Sequence, residues 1–228
     1  MTDSYYAGAQ WRARPESVEE CTDRIVAFMP ALEMINPMFG TRFDTGRSRK
    51  DALRRPIQIE RSVLRENLLA GQNRTDVAPR KVIEELGFSF SPWNGQETAV
   101  GLRVHCGTYS QWVGNNVVIT LPDLDQLEGM LDADFATRLI TVMVESWDPD
   151  WATVCGQDLA NSQGKPIGSV VIGFVAYVKS NRRVGPLFLP KGITRRALHN
   201  GELLTIGTDP LNVDRLAAKK LSAHLNRT

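Results

Sequence analysis

The chain has 228 residues, of which 42% are apolar and 23% charged, and its formal net charge is +1. These values are ordinary for a globular protein and exclude a strongly basic polyanion-binding protein. No run of about 18 apolar residues occurs, so the sequence predicts no membrane span. Met1–Tyr6 do not form a basic segment followed by an apolar one, as a secretory signal would, so we expect a cytoplasmic protein. From the length of the chain we expect one domain, residues 1–228.

A strand is predicted over Tyr5–Trp11, and a long helix follows it. Ser17 and Glu20 have the spacing of a capping box, in which each side chain accepts a hydrogen bond from the other residue's backbone. Apolar residues at spacings of three and four then form one helical stripe: Cys21, Ile25, Phe28, Met29 and Leu32. Pro30 should kink or end the regular part of this helix, and Asn36-Pro37 should close it.

The next segments change from helical to strand patterning at Gly87. Before it, three short helices are predicted, at Ser48–Arg55, Ser62–Ala70 and Pro79–Leu86. After it, alternation of apolar and polar residues predicts strands at Phe88–Phe90, Gln96–Cys106 and Val117–Leu121. The last two are predicted to be antiparallel neighbours.

In the second half, Leu124–Trp147 has a mostly helical pattern, with Asp132 or Asp134 as its cap. Strands are predicted at Trp151–Gln157, Ser169–Val178, Leu187–Leu189 and Leu203–Ile206, the second of them central, and a last helix at Asn212–Leu225. The expected fold class is therefore α+β: a single domain with a mostly antiparallel sheet packed against several helices.

The charge of the chain is unevenly distributed. Residues 122–150, called the acidic block below, hold one base, Arg138, and eight carboxylates: Asp123, Asp125, Glu128, Asp132, Asp134, Glu145, Asp148 and Asp150. Acids at a helix entrance are favoured by the helix dipole, which gives the earlier ones a structural reason. Glu145, Asp148 and Asp150 lie at or beyond the helix end, where the dipole disfavours them.

Asp148-Pro149-Asp150 allows three interpretations: a solvated turn, a partner contact, or with Glu145 a site for magnesium or manganese. Trp147 and Trp151 bracket it, and Trp beside carboxylates is typical of a docking site for a basic protein. Trp147 lies on the apolar helix face and is expected to be buried, whereas the place of Trp151 is open. The predicted partner-binding residues are Glu145, Asp148, Asp150, Trp151, Asp123, Asp125 and Glu128.

Catalytic and cofactor motifs are missing from the sequence. Cys21, Cys106 and Cys155 lie far apart and are expected to be buried thiols rather than disulfide or zinc ligands. His105 and Cys106 are neighbours on a predicted strand, so they point to opposite faces and form no dyad. No phosphate-binding, nucleophile-elbow or zinc-protease motif occurs, and no cofactor is predicted.

Two stretches are basic. Residues 42–65 hold eight bases against Asp44, Asp51 and Glu60, and residues 179–196 hold six bases and no acid. The first could contact phosphate, but its acids and the lack of interleaved aromatic residues favour a solvated helical face. No nucleic-acid partner is therefore predicted.

Several segments, taken in order, resemble the immunity protein 52 family, which protects bacteria from their own restriction-endonuclease-like toxins. The segments are Tyr5-Tyr6-Ala7-Gly8, Trp11, Arg14, Glu16 to Cys21, Asn36-Pro37, Gly46-Arg47-Ser48, Gly114 to Val118, and Gly201 to Pro210.

The resemblance implies a protein without catalysis that binds and neutralises a nuclease toxin, with a type VI secretion effector as the expected toxin. It would do so by occluding the toxin's DNA-binding surface or active site, or by blocking its oligomerisation. The alternative from another class is a divalent-metal-dependent transferase or hydrolase that uses Glu145, Asp148 and Asp150.

Overall fold

The computed structural model describes residues 4–45, 48–127, 129–164, 168–180 and 189–227. Contacts divide the chain into two compact units: a first unit of Gln10–Thr120, and a second unit of Met1–Ala9 with Leu121–Thr228. Strand β1 (Tyr5–Trp11) has residues in both. Helices and an eight-stranded antiparallel sheet confirm the predicted α+β class. The prediction of one domain over residues 1–228 stays a prediction.

The first unit begins with the predicted long helix, α1 (Val18–Ile35). Ser17 Oγ accepts a hydrogen bond from the Glu20 N–H at 3.2 Å, and the Glu20 carboxylate accepts one from the Ser17 N–H at 2.7 Å. The capping box is therefore confirmed. The whole apolar stripe is buried, and the helix continues through the exposed Pro30 because Leu32 extends that stripe.

Two short helices follow, α2 (Arg49–Ala52) and α3 (Arg61–Ala70). α3 packs against α1, and two ion pairs join them: Arg61 to Asp23 at 2.7 Å and Arg65 to Glu19 at 2.9 Å.

The third predicted helix, Pro79–Leu86, is wrong. The backbone there is extended and pairs with the preceding residues, since the Ile83 N–H donates to Asn73 O and the Thr75 N–H donates to Lys81 O, both at 2.9 Å. Because these residues pair with the preceding strand-like segment, the helical part of the predicted range is limited to one 3-10 turn, Glu84–Leu86, which ends at Gly87.

Three strands of the first unit follow, β2 (Phe88–Phe90), β3 (Gly101–Cys106) and β4 (Asn115–Thr120). They lie in the order β2-β3-β4, and both pairs are antiparallel, as predicted for the second pair. Alternation along β3 places Leu102, Val104 and Cys106 in the core and turns Arg103 and His105 to the other face, which confirms that His105 and Cys106 form no dyad.

The second unit contains the helix of the acidic block, α4 (Ala133–Trp147). Asp132 caps it, with Oδ1 accepting a hydrogen bond from the Phe135 N–H at 2.8 Å. This confirms the predicted cap at Asp132. The mostly helical pattern predicted from Leu124 holds only after this cap, because the described residues before it form turns that bury Leu127 and Leu131.

The remaining elements of the second unit are β5 (Trp151–Gly156), α5 (Gln157–Ser162), β6 (Val175–Lys179), β7 (Ile193–Leu198), β8 (Gly201–Ile206) and α6 (Arg215–Leu225). The strands lie in the order β5-β6-β8-β7, all antiparallel, and α4 packs on β5 and β6. β6 is internal, as predicted. β7 was not predicted; the strand predicted at Leu187–Leu189 falls partly outside the described residues, and Leu189 is in no strand.

β6 is shorter than the predicted strand because side chains, rather than a neighbouring strand, bind the backbone before it. Val170 and Ile172 are wholly buried. The Val170 N–H donates to Asn226 Oδ1 at 2.8 Å, and the Ile172 N–H donates to Gln163 Oε1 at 3.1 Å. The apolar residues predicted as strand are therefore core residues of an irregular segment.

The three cysteines are free and buried, which confirms the prediction of buried thiols. Within the described residues, no helix combines the length and the hydropathy that a membrane crossing requires.

Candidate functional site

The acidic block is divided by its own helix. Asp132 caps the start of α4 and Asp148 caps its end. Sixteen residues at 1.5 Å each separate the two caps by about 24 Å. The carboxylates therefore form two groups: an entrance group of Asp123, Asp125, Asp132 and Asp134, and an exit group of Glu145, Asp148 and Asp150. Glu128 lies outside the described residues.

Two of the four carboxylates in the entrance group have local structural partners. Asp132 is the cap, and Asp134 pairs with Arg138 on the next turn at 3.1 Å. Asp125 is exposed, and the described residues give its side chain no hydrogen bond or ion pair. Asp125 is therefore an exposed carboxylate of this group that is free to meet a partner.

Asp148 in the exit group has a structural role that the sequence did not reveal. Its backbone is left-handed, with φ 46°, and its N–H donates to Val144 O at 2.9 Å, which closes α4. Lys179 Nζ donates to both carboxylate oxygens, at 2.9 and 2.8 Å, and His199 Nε2 lies 3.8 Å from Oδ1. Since the side chains of Asp148 and Lys179 are only 37% and 25% exposed, water screens this ion pair incompletely.

Tyr177 belongs to the same arrangement, below the acidic turn. Its side chain is wholly buried, and its hydroxyl has no hydrogen bond to any described residue. Burial, together with the negative charges of Asp148 and Asp150, raises the pKa of Tyr177 to about 12. The hydroxyl therefore stays neutral at physiological pH. The turn is also held by a backbone hydrogen bond, in which the Lys179 N–H donates to Asp150 O at 3.0 Å.

Lys179, Tyr177 and His199 were missed as parts of this site. Residues two apart on a strand share a face, so Tyr177, inside the predicted strand, and Lys179, one residue beyond its predicted end, were the available signal. No local signal indicated that this face lies at the end of α4, since Asp148 and Lys179 are 31 residues apart.

The two tryptophans that bracket the acidic turn are both buried. Trp147 is 0% exposed, as expected, and Trp151 is 4% exposed and packs in a cluster with Ala176 and Val178. Glu145, on the last turn of α4, is exposed, and its side chain makes no hydrogen bond or ion pair with the described residues. Glu145 is therefore the most accessible acid of the exit group, whereas Trp151 is a core residue.

A metal site is not formed here. Within the described residues, no three His, Cys, Asp or Glu side chains are gathered closely enough to hold a metal ion. Glu145, Asp148 and Asp150 thus do not converge as a metal-dependent enzyme would require.

The first basic stretch has less free charge than its sequence suggests. Arg61 and Arg65 pair with α1, and Arg55 pairs with Asp51 at 3.1 Å. Arg42 is buried, and burial lowers its pKa to about 10. Much of the positive charge is therefore committed to internal contacts.

The family and the fold are set by two comparisons. The family model for immunity protein 52 matches residues 3–224, so the chain belongs to the immunity protein 52 family. No curated protein matches it. Among solved structures, a type VI secretion system (T6SS) protein of Pseudomonas aeruginosa is similar, with a TM-score of 0.53 and 10% identity over 98% of this chain and 72% of that one. At this identity the likeness concerns the fold alone.

Proposed function

We propose that this immunity protein binds a nuclease toxin and neutralises it through the exposed carboxylates of the acidic block. The observation that carries the proposal is the pair of accessible acidic groups at the two ends of α4 in a member of an immunity-protein family. A nuclease needs a cationic surface to hold DNA, and carboxylates on an inhibitor attract that surface and speed association.

The separation of the two groups suits one protein partner. A standard interface buries roughly 800 Å² on each side, which corresponds to a patch roughly 30 Å across. Two groups about 24 Å apart can therefore lie within one interface. A small ligand could not contact both.

The proposed partner-binding residues have different roles. Glu145 and Asp125 are exposed and meet the toxin directly, with Asp123, Asp150 and Glu128 adding to the negative field. Asp148 and Trp151 contribute indirectly, by stabilising the turn that carries the acids. Asp148 is paired with Lys179, and Trp151 is buried.

Neutralisation needs no catalysis by this chain. It follows either from covering the toxin's DNA-binding surface or active site, or from blocking toxin oligomerisation. A toxin delivered by type VI secretion would be met in the cytoplasm, where we place the protein.

The test reverses acids that have no structural role. The variant Asp125→Lys/Glu145→Lys changes the charge by +4 without touching the caps or the Asp148–Lys179 pair. A matched control, Asp76→Lys/Glu97→Lys, makes the same change at exposed acids of the first unit. Binding to the polypeptide encoded by the neighbouring reading frame is then measured by surface plasmon resonance at several salt concentrations.

We expect the acidic-block variant to associate about tenfold more slowly than the control, with a shallower dependence on salt, because rim charges act mainly on association. Equal association rates for the two folded variants would show that the acidic block is not the toxin-binding surface.

A further inference from the structure

The loop between β3 and β4, residues 107–114, exposes the largest apolar side chain on the first unit. Trp112 is 83% exposed, Tyr109 is 47% exposed and Val113 is 37% exposed. No charged residue occurs in these eight positions, which we call the aromatic loop. Folding leaves the apolar surface of Trp112 in water. That surface can therefore be buried against a partner, which would favour binding.

Buried hydrogen bonds fix the base of the aromatic loop. Asn115 Oδ1 accepts from the Thr108 N–H at 2.9 Å, and Asn115 Nδ2 donates to Arg12 O at 2.9 Å. Thr108 Oγ1 donates to Glu85 O at 2.7 Å, and the N–H groups of Tyr109 and Ser110 donate to the same oxygen at 3.1 Å. The loop is therefore ordered before a partner arrives, which reduces the entropy lost on binding.

An open groove of about 460 Å³ adjoins the loop, and Val113 of the loop is one of its lining residues. On the groove floor, cross-strand pairing aligns Ser89, His105 and Asn116 in one row, with Arg103 in the next. Ser89 Oγ and His105 Nδ1 share a hydrogen bond of 3.0 Å.

The groove has a one-sided charge. Its lining residues include no carboxylate, and Arg103 is exposed with no ion pair among the described residues. A partner side chain that complements this groove is therefore an aspartate or a glutamate.

We propose that the aromatic loop and this groove form a second docking surface for the toxin, in which Trp112 enters an apolar pocket and Arg103 meets a carboxylate beside it. The inference rests on the proposed function, because the toxin is the occupant. The second docking surface is complementary to an acidic and apolar patch on the toxin, whereas the acidic block is complementary to a cationic patch. Two such opposite demands select one partner more sharply than either alone.

The two side chains should affect binding in different ways. A tryptophan in a desolvated pocket is a typical hot spot, and truncating it speeds dissociation. A charge at the rim changes the association rate and its salt dependence.

The test measures association and dissociation rates for the polypeptide encoded by the neighbouring reading frame. The variants are Trp112→Ala and Arg103→Glu, each confirmed as folded by urea unfolding. Their controls are Met34→Ala, a side chain 87% exposed on α1, and Arg80→Glu, an exposed arginine of the same unit. Sedimentation of the wild type and Trp112→Ala alone tests whether a second copy of the chain is the occupant.

We expect Trp112→Ala to weaken binding at least about 30-fold through dissociation, with Met34→Ala within about twofold of the wild type. Arg103→Glu should slow association about tenfold relative to Arg80→Glu. Unchanged binding by Trp112→Ala overturns this inference and leaves the proposed function standing, as does a wild-type dimer that only Trp112→Ala dissociates. A wild type that does not bind the polypeptide overturns both.

Discussion

Replacing Lys179 by Met would remove the cation that holds Asp148 at the end of α4. Exposed ion pairs contribute about 0–1 kcal/mol, whereas breaking a buried pair costs about 3–5 kcal/mol. This pair lies between those cases, with two hydrogen bonds of 2.9 and 2.8 Å and side chains 25% and 37% exposed. We therefore expect Lys179→Met to lower the free energy of unfolding by about 1–2 kcal/mol, or the melting temperature by about 2–8 °C.

A double-mutant cycle measures the interaction itself. Asp148→Asn removes the charge and keeps a residue that tolerates the left-handed backbone. Urea unfolding of the wild type, both single variants and the double variant should give a coupling energy of about 1 kcal/mol. The four curves must share one slope, since a changed slope would mean a changed unfolded or folded state.

The matched control is the pair Asp134 and Arg138 on α4, whose side chains are 79% and 48% exposed. Helix-surface pairs of this spacing contribute about 0.2–0.5 kcal/mol. A coupling energy for Asp148 and Lys179 no larger than that of the control would refute the structural role assigned to Asp148.

Two further predictions concern the first unit. Ser17→Ala should lower the free energy of unfolding by about 1 kcal/mol, because it removes the acceptor of the α1 capping box, and urea unfolding with a loss below about 0.3 kcal/mol would contradict this. Burial, with the nearby Arg103 charge, lowers the pKa of His105, so the unfolded chain binds more protons below about pH 6.5 and stability falls as the pH drops through the folded pKa. His105→Gln should weaken the loss of stability between pH 7 and pH 5, and an unchanged loss would contradict the assignment.

Elements with local signals were predictable from the sequence. The start of α1 follows from Ser17 and Glu20, whose hydrogen bonds close within one turn. The antiparallel pair β3 and β4 follows from alternation that buries one face of each strand. In these cases the residues that determine the element lie inside it or beside it.

Elements set by distant partners were not predictable. Residues 79–83 have no helix because their backbone bonds to residues 73–75, and Val170 stays out of a strand because Asn226 binds its N–H. β7 was missed because its exposed residues, such as Arg195 and Arg196, give it no buried alternating face.

The candidate site shows the same limit. The eight carboxylates were visible in the sequence, but their division by α4 and the pairing of Asp148 with Lys179 depend on tertiary structure. The burial of Trp151 likewise required the packing of β5 against β6. The sequence therefore located the acids, whereas the structure separates those that support the fold from those free to bind.

Co-expression with the polypeptide encoded by the neighbouring reading frame tests the central claim most directly. We expect that polypeptide to degrade DNA and arrest growth when expressed alone. With the immunity protein present, growth and intact DNA should return, and the two chains should co-purify as a complex. Growth arrest that persists despite abundant, folded immunity protein, without a complex, would contradict the claim that this chain neutralises a nuclease toxin by binding it.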